Sequence, residues 1–237
     1  MTIERRIQLN KYFEYRNIDT ATYEKITLPL WITNELKNKD VKILDYGCGL
    51  GQILQALKVE GYKNCYGVDI EKSAIEFCKE NSLHVEELNL DNLLNPFSSK
   101  FDIIILSHII EHIPKDEIIN TLNFIKNEFL ADNGKLLIAV PNAQSNTHAY
   151  WAYEDWTHTT LFTSGSLYYV LKAAGYNNVD FLDIDCTLGS KGIKRFLRKI
   201  LLKLYKTNVD FWNKVTCSSY HKPSQQIFSY EIKCRAY

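Results

Sequence analysis

The sequence has no excess of charge of either sign. Over 237 residues, 28 lysines and arginines balance 28 aspartates and glutamates, so the formal net charge is zero. Proteins that hold nucleic acid by its phosphates usually carry a basic excess. The charge balance therefore gives no reason to expect nucleic acid as a partner.

Long apolar runs are also missing. No stretch approaches the ~20 apolar residues that a membrane-spanning helix needs, and residues 1–6 lack the apolar core of a secretory signal. We therefore expect a cytoplasmic protein. No repeat or low-complexity tract interrupts the chain, and its 46% apolar and 24% charged residues are ordinary globular composition. A single domain over residues 1–237 is the simplest interpretation.

Cysteines in paired, metal-binding spacings are absent as well. The chain has six cysteines, mostly in apolar surroundings, at positions 48, 65, 78, 186, 217 and 234. Buried free thiols are their expected state, and we expect no zinc site built from them.

The most informative segment present, residues 43–51, reads Ile-Leu-Asp-Tyr-Gly-Cys-Gly-Leu-Gly. The apolar run 41–44 has no polar alternation, which predicts a parallel strand covered on both faces, with Asp45 at its carboxyl end. Gly47, Gly49 and Gly51 permit a tight turn and a close approach to a ligand, because they lack Cβ. In open α/β sheets ligands bind at this end of the strands, so the segment predicts a cofactor site.

Strands and helices alternate beyond this segment. The pattern predicts helices at 72–80 and 116–130 and strands at 65–70, 83–88, 101–106 and 135–140. Such alternation implies a parallel sheet. Asp69 ends the second strand, where a carboxylate can accept hydrogen bonds from ribose hydroxyls.

The glycine spacing distinguishes between cofactors. A dinucleotide fingerprint is G-x-G-x-x-G, and Gln52 occupies the place of its last glycine. The pattern acid-x-G-x-G-x-G instead resembles motif I of the class I S-adenosylmethionine (SAM) methyltransferases. Residues 101–114, Phe-Asp-Ile-Ile-Ile-Leu-Ser-His-Ile-Ile-Glu-His-Ile-Pro, resemble a second segment of that family. The resemblance implies an α/β, Rossmann-like sheet of seven strands in the order 3-2-1-4-5-7-6, parallel with one antiparallel edge strand and with helices on both faces.

The resemblance also implies SAM as the cofactor and S-adenosylhomocysteine as its product. By this resemblance the methionine end lies against the acid and glycines of motif I, the ribose at Asp69, the adenine near the third strand, and the methyl group beside the end of the fourth. The cofactor-binding residues are then Asp45, Gly47, Gly49, Gly51, Gln52, Asp69, Ile70, Asp91, Asn92, Ser107 and His108.

The second half of the chain is expected to bind the methyl acceptor. Residues 142–163 form a long connection at the active end of the sheet, and long connections in compact domains are often functional. Its aromatic residues either stack on the acceptor or only cover the core; they are Tyr150, Trp151, Tyr153 and Trp156.

Residues 155–163, Asp-Trp-Thr-His-Thr-Thr-Leu-Phe-Thr, are similar to a passage of a methyltransferase subgroup common in bacterial O-antigen, capsule and lipopolysaccharide clusters. This implies O-methylation of a sugar or nucleotide-linked precursor. A phosphoryl or phosphoramidate oxygen, or an aromatic hydroxyl, fits the same residues. In that subgroup a glutamate often follows the histidine, and here Thr159 stands instead, so no role for that acid is carried over.

Methyl transfer to a hydroxyl is an in-line displacement that requires removal of the hydroxyl proton. A histidine titrates near neutral pH and can accept this proton. His158 is the first candidate for the general base, with Asp155 as the carboxylate that orients it. His112 is the second candidate, and Glu111 is expected to shape the site.

Three alternatives stay open. A divalent metal needs hard oxygen ligands, and this half offers Asp155 and Asn142 without an acid pair, so we expect no metal. A SAM-binding partner protein without catalysis would bind cofactor but not turn over. An NAD-dependent dehydrogenase would bind NAD in place of S-adenosylhomocysteine.

Residues 189–207 predict a basic amphipathic helix. Seven lysines and arginines and no acid occur between positions 191 and 206. This helix either lies on anionic lipid, grips a phosphorylated substrate, or docks its apolar face on the sheet. We expect a helical cover over residues 1–40, the SAM-binding core over 41–142, and the substrate side over 143–237, which ends in a hairpin pairing 226–237 with 178–185.

Overall fold

The computed structural model describes residues 26–89, 94–148 and 150–237. The strands are β1 (Ile43–Tyr46), β2 (Cys65–Asp69), β3 (Val85–Glu87), β4 (Phe101–Ser107), β5 (Leu130–Pro141), β6 (Val179–Leu182) and β7 (Glu231–Ala236). The α-helices are α1 (Leu30–Thr33), α2 (Gln52–Val59), α3 (Lys72–Glu80), α4 (Ile118–Phe124), α5 (Tyr150–Glu154), α6 (Ser164–Ala173) and α7 (Gly192–Val215). A 3₁₀ turn at Ile110–His112 and a π-helical turn at Ile125–Phe129 complete the described elements.

The strands form one seven-stranded sheet in the order β3-β2-β1-β4-β5-β7-β6. β1 pairs in parallel with β2 and with β4, β2 pairs in parallel with β3, and β6 pairs antiparallel with β7. This confirms the seven-stranded Rossmann-like order and the C-terminal hairpin expected from the sequence.

The register brings three strand ends together. Asp45 lies opposite Gly67 of β2 and Ile105 of β4. The chain therefore leaves β1, β2 and β4 at the same edge of the sheet. β1 also lies where the strand order reverses, which is the usual ligand-binding position in doubly wound sheets.

The burial pattern explains why these segments form strands. All four residues of β1 are buried, as expected for a strand covered on both faces. β5 begins at Leu130, five residues before its predicted start. The reason for the difference is its Asp132-Asn133-Gly134 sequence, which has the composition of a turn although the structure pairs it as strand.

The described residues divide into two compact units. Unit 1 contains residues up to Ile109 together with Asn123–Leu137, and unit 2 contains Ile110–Leu122 together with Ile138–Tyr237. Unit 1 carries the glycine-rich loop, and unit 2 carries residues 142–163 and α7. Each is described separately below.

Most of the expected helical cover, residues 1–25, lies outside the described residues. Of the remainder, Leu30–Thr33 form α1, in which Trp31 and Ile32 are buried. Within the described part of the chain, no helix combines the length and the apolar character needed to cross a bilayer.

Candidate active site

The loop after β1 is built from backbone hydrogen bonds to its neighbours in unit 1. The amides of Gly47 and Cys48 donate to the Val68 carbonyl at 2.8 and 3.0 Å, and the Gly51 amide donates to the Cys48 carbonyl at 2.8 Å. Gly47, Gly49 and Gly51 have φ angles of 81°, 50° and 76°. This left-handed backbone favours glycine, as the sequence predicts.

The space around two of these glycines is also filled. A Cβ at Gly47 would lie 2.1 Å from Cδ1 of Ile109, and a Cβ at Gly51 would lie 2.5 Å from Cδ1 of Leu83. A side chain at either position would therefore require Ile109 or Leu83 to move, in addition to the strain of a positive φ.

Asp45 lies at the end of β1 and is only 3% exposed. Burial, and then the nearby Asp69 carboxylate, raise the pKa of Asp45 to about 7. Among the described residues, none donates a hydrogen bond to this carboxylate, so its charge is poorly compensated. Such a group favours a cationic ligand, and the amino acid end of SAM carries a cationic ammonium group.

Asp69 ends β2 and ties the loop to the next helix. Its Oδ2 accepts a hydrogen bond from the Gly49 amide at 2.7 Å, and its Oδ1 accepts one from the Glu71 amide at 2.9 Å. Burial raises the pKa of Asp69, and the backbone hydrogen bonds partly oppose this shift. Each carboxylate oxygen has a second lone pair, so Asp69 retains the capacity to accept hydroxyl donors.

Glu71 is a candidate that the sequence did not reveal. It is 8% exposed, its Oε1 accepts a hydrogen bond from the Ser73 hydroxyl, and its buried Oε2 has no hydrogen-bond partner among the described residues. Glu71 lies two positions after Asp69, and that closeness was the only signal in the sequence. A buried oxygen that lacks a donor suits a ligand hydroxyl.

Of the other residues expected to bind the cofactor, four lie in the described part of the chain and two lie outside it. Gln52 is the exposed first residue of α2, and Ile70 follows β2 directly. Ser107 ends β4, and His108 follows it with a φ of 58°. Asp91 and Asn92 lie outside the described residues.

Unit 2 holds the expected catalytic histidines next to each other. The ring centroids of His112 and His158 are 4.7 Å apart. Glu111 beside them is fully buried, and one potential ligand atom from each of the three residues lies within 4.8 Å of the other two.

Asp155 supports His112, whereas the sequence predicted that it orients His158. The Asp155 carboxylate accepts hydrogen bonds from the Thr157 amide at 3.0 Å and the Thr157 hydroxyl at 2.6 Å. The Thr157 oxygen lies 2.8 Å from Nδ1 of His112. Because the hydroxyl proton is directed at Asp155, Nδ1 of His112 donates to Thr157, and its Nε2 carries the lone pair.

His158 is oriented by the backbone. Its Nδ1 lies 2.5 Å from the Trp151 carbonyl oxygen. A carbonyl only accepts hydrogen bonds, so Nδ1 carries the proton and Nε2 carries the lone pair. The described hydrogen bonds of the Asp155 carboxylate lead through Thr157 to His112, and His158 is held by the Trp151 carbonyl.

Thr159 holds the segment that carries His158 against the segment that carries His112. Its amide donates to the Glu111 carbonyl at 2.8 Å, and its hydroxyl lies 2.5 Å from the Ile113 carbonyl oxygen. These bonds hold residues 157–160 against the Ile110–His112 turn. Thr159 therefore has a structural role.

The aromatic residues of the connection do not simply cover the core. Tyr150, Tyr153 and Trp156 are 51%, 73% and 82% exposed, whereas Trp151 is half-buried and packs at 6.1 Å from the Tyr230 ring. Exposed aromatic faces are available for stacking on a ligand.

Asn142, considered above as a metal ligand, is fully buried and holds unit 2 together. Its amide donates to the carbonyls of Ile227 and Ser229, both at 2.8 Å, and its oxygen accepts from the Gln144 amide. Its side chain is occupied by these structural bonds.

The comparisons with known proteins agree with this geometry. Residues 14–180 match the family model of a methyltransferase domain, and the chain belongs to that family. The ubiquinone biosynthesis O-methyltransferase of Coxiella burnetii is 28% identical over 128 residues, which are 51% of this chain and 52% of that protein. The chain thus spans about half the length of the curated relatives it matches.

Solved structures share the fold. A SAM-dependent methyltransferase from Archaeoglobus fulgidus aligns with a TM-score of 0.56 at 20% identity, over 98% of this chain and 93% of that chain. Magnesium protoporphyrin IX methyltransferase from Synechocystis, solved with bound S-adenosylhomocysteine, aligns with a TM-score of 0.56 at 13% identity, over 99% and 97%. SAM is the cofactor that the family indicates, and the buried acids and glycine loop of unit 1 fit it.

The close packing around Gly47 allows the role of the glycine loop in cofactor binding to be tested with a matched control. We expect Gly47→Ala to weaken S-adenosylhomocysteine binding at least tenfold, because the new Cβ meets Ile109. Gly61→Ala is the control, since Gly61 also has a positive φ, of 86°, but has open space around its Cβ position. Calorimetry measures both, and equal affinity in the two variants would contradict this role of Gly47.

The raised pKa of Asp45 can be tested by measuring protein stability at different pH values. The unfolded carboxyl ionises near its ordinary pKa of 3.8, whereas burial raises the folded pKa to about 7. Ligand-free stability therefore falls as pH rises between these values, and Asp45→Asn removes that loss. We expect the free energy of unfolding of Asp45→Asn at pH 8 to exceed that of the natural chain by on the order of 1–4 kcal/mol, so that it unfolds at a higher temperature, with the gap closing towards pH 4.

The same variant should bind SAM more weakly, because it lacks the carboxylate that we expect to face the ammonium group. Asp132→Asn, a change at an exposed acid, serves as the control in thermal melts and calorimetry. A destabilised Asp45→Asn at pH 8 would show that the buried charge is compensated in the ligand-free protein.

Proposed function

We propose that this protein transfers the methyl group of SAM to a hydroxyl oxygen of a small acceptor. The observation that carries the proposal is the His112–His158 pair. Two imidazoles lie side by side, and the hydrogen bonds of both Nδ1 atoms place the lone pair on Nε2. An imidazole in this tautomer accepts a proton readily near neutral pH.

In the proposed reaction the acceptor oxygen attacks the methyl carbon of the sulfonium. The new O–C bond forms as the S–C bond breaks, the electron pair of that bond stays on sulfur, and S-adenosylhomocysteine is released. The hydroxyl proton goes to an Nε2 atom, with His158 as the first candidate and His112 as the second. The Asp155–Thr157 link stabilises positive charge on His112, because its carboxylate is one hydroxyl away.

We propose a sugar or nucleotide-linked precursor of bacterial surface polysaccharide as the acceptor. The support is the resemblance of residues 155–163 together with the exposed Tyr150, Tyr153 and Trp156, since aromatic faces stack on sugar rings.

An aromatic hydroxyl is the second candidate acceptor. The observation that favours it is the relative from Coxiella burnetii, whose name assigns it O-methylation in ubiquinone biosynthesis. Radiolabelled methyl transfer to nucleotide sugars, glycolipid precursors and phenols distinguishes the two classes. Transfer to none of them, with S-adenosylhomocysteine still bound, would support a SAM-binding partner protein without catalysis.

The histidine pair is tested by substitution. We expect His158→Ala to lower the rate of methyl transfer by roughly 10²–10⁴-fold with the affinity for S-adenosylhomocysteine kept, because the lost group acts on the acceptor. His148→Ala, at an exposed histidine of the same connection, should keep the rate. Unchanged turnover in His158→Ala would remove His158 from the mechanism.

We further propose that α7 places the protein on anionic membrane. None of its residues is buried, which supports a contact with lipid over docking of its apolar face on the sheet. The half-buried positions of α7 share one side; they are Leu202, Tyr205, Lys206, Val209 and Asn213. On that side the Tyr205 hydroxyl lies 2.5 Å from Oδ1 of Asn146, and its ring packs on Phe228.

The exposed apolar residues of α7 lie on the other side. At about 100° per residue, Leu204 lies some 200° from Leu202, and the stripe recurs every three or four residues. The stripe consists of Ile193, Phe196, Leu197, Ile200, Leu201, Leu204, Phe211 and Val215. At the same 100° per residue, Lys194 and Lys203 lie about 90° to either side of the stripe, and no acid occurs between 191 and 206, so this surface complements anionic lipid head groups.

Vesicle sedimentation tests this contact. We expect binding to phosphatidylglycerol vesicles but not to phosphatidylcholine vesicles, and at least about tenfold weaker binding in a Lys194→Glu and Lys203→Glu double variant. Phe196→Ser with Leu204→Ser should also weaken binding, whereas Val59→Ser, at an exposed apolar residue of unit 1, should not. Equal binding to both vesicles would contradict the proposal, and self-association without vesicle binding would assign the stripe to a second copy.

A further inference from the structure

Unit 2 contains three side chains whose chemistry matches a metal site. They are the fully buried carboxylate of Glu111 and the imidazoles of His112 and His158. The sequence pointed only to oxygen ligands for a metal, at Asp155 and Asn142, and did not predict this set. Two imidazoles and one carboxylate are a common ligand set for divalent transition metals, which leave further positions open to a substrate.

The distances allow a single ion. One ligand atom from each residue lies within 4.8 Å of the others. Three atoms this close always have a point within about 2.8 Å of all of them, so shifts of under about 1 Å produce bonds of 2.0–2.2 Å.

The surrounding hydrogen bonds prepare both imidazoles as ligands. A metal-bound histidine usually donates its other N–H to a carbonyl or a carboxylate-supported group, which fixes the tautomer. Nδ1 of His158 donates to the Trp151 carbonyl, and Nδ1 of His112 donates to Thr157, which donates to Asp155. With Nδ1 engaged in these bonds, Nε2 is the nitrogen of each ring that suits coordination.

We propose that Glu111, His112 and His158 bind one divalent transition-metal ion, through a carboxylate oxygen and two imidazole Nε2 atoms. For its catalytic meaning this inference rests on the proposed function. The acceptor hydroxyl coordinates the ion, which lowers the pKa of that hydroxyl, and its proton passes to solvent. The oxygen then takes the methyl group, and in this state His158 is a ligand and not the base.

Cobalt(II) is the probe, because its visible absorption reports the ligand geometry directly. The full-length protein is stripped with a chelator, checked by circular dichroism, and titrated with cobalt chloride, with zinc chloride as the competitor. We expect one ion per chain, visible ligand-field bands, and displacement by zinc. The absence of stoichiometric binding, or bands of thiolate ligation from the free cysteines, overturns the proposal.

Substitutions of the proposed ligands test where the ion binds. We expect Glu111→Gln and His158→Ala to raise the dissociation constant for cobalt at least tenfold, and Asp155→Asn to raise it by about 10–100-fold through the loss of support for His112. His148→Ala is the matched control and should bind like the natural chain. If Glu111→Gln fails to fold, His158→Ala, at a half-buried residue, decides the question, and unchanged binding in it overturns the site.

Methyl transfer is measured separately with the stripped and reloaded protein. Full turnover of the stripped protein would reject the metal's role and leave the proposed function intact, with a histidine as the base. Stoichiometric binding without transfer to any acceptor would support the ion site and count against the proposed function.

Discussion

The central constraint in unit 1 is the burial of a carboxylate at the end of β1. β1 lies between β2 and β4 and all its residues are buried, so Asp45 cannot reach solvent. Burial and the nearby Asp69 raise its pKa to about 7. The ligand-free protein thus holds an unfavourable charge at the point where a cationic ligand removes the penalty. Local instability of this kind is typical of binding sites.

The glycine loop depends on the same strand ends. Gly49 donates to Asp69, so the loop after β1 and the acid after β2 fix each other. Ile109 and Leu83 fill the space where Cβ atoms of Gly47 and Gly51 would lie. The glycine spacing is therefore dictated by packing against the protein itself as well as by access for a ligand. A larger residue would disturb the loop even in the absence of cofactor.

Much of unit 1 was predictable because its signals are local. An unbroken apolar run marks a parallel strand, and an acid at its end marks the ligand-binding edge. The supports of the histidines were not predictable, since the Thr157 link and the Trp151 carbonyl depend on how a long connection folds back. The sequence also left open whether the apolar stripe of α7 faces the protein or the outside, because an amphipathic pattern does not show which face of a helix packs on the protein.

The histidine pair is more elaborate than a single proton transfer requires. A general base needs one oriented imidazole with a lone pair at the acceptor. Unit 2 instead fixes two imidazoles in the same tautomer, by separate hydrogen bonds, beside a fully buried carboxylate. Thr159 clamps the two segments that carry them, so their spacing is set by the backbone. Three preorganised donors with mutual separations within 4.8 Å are better explained by coordination of a cation than by one base and an incidental neighbour.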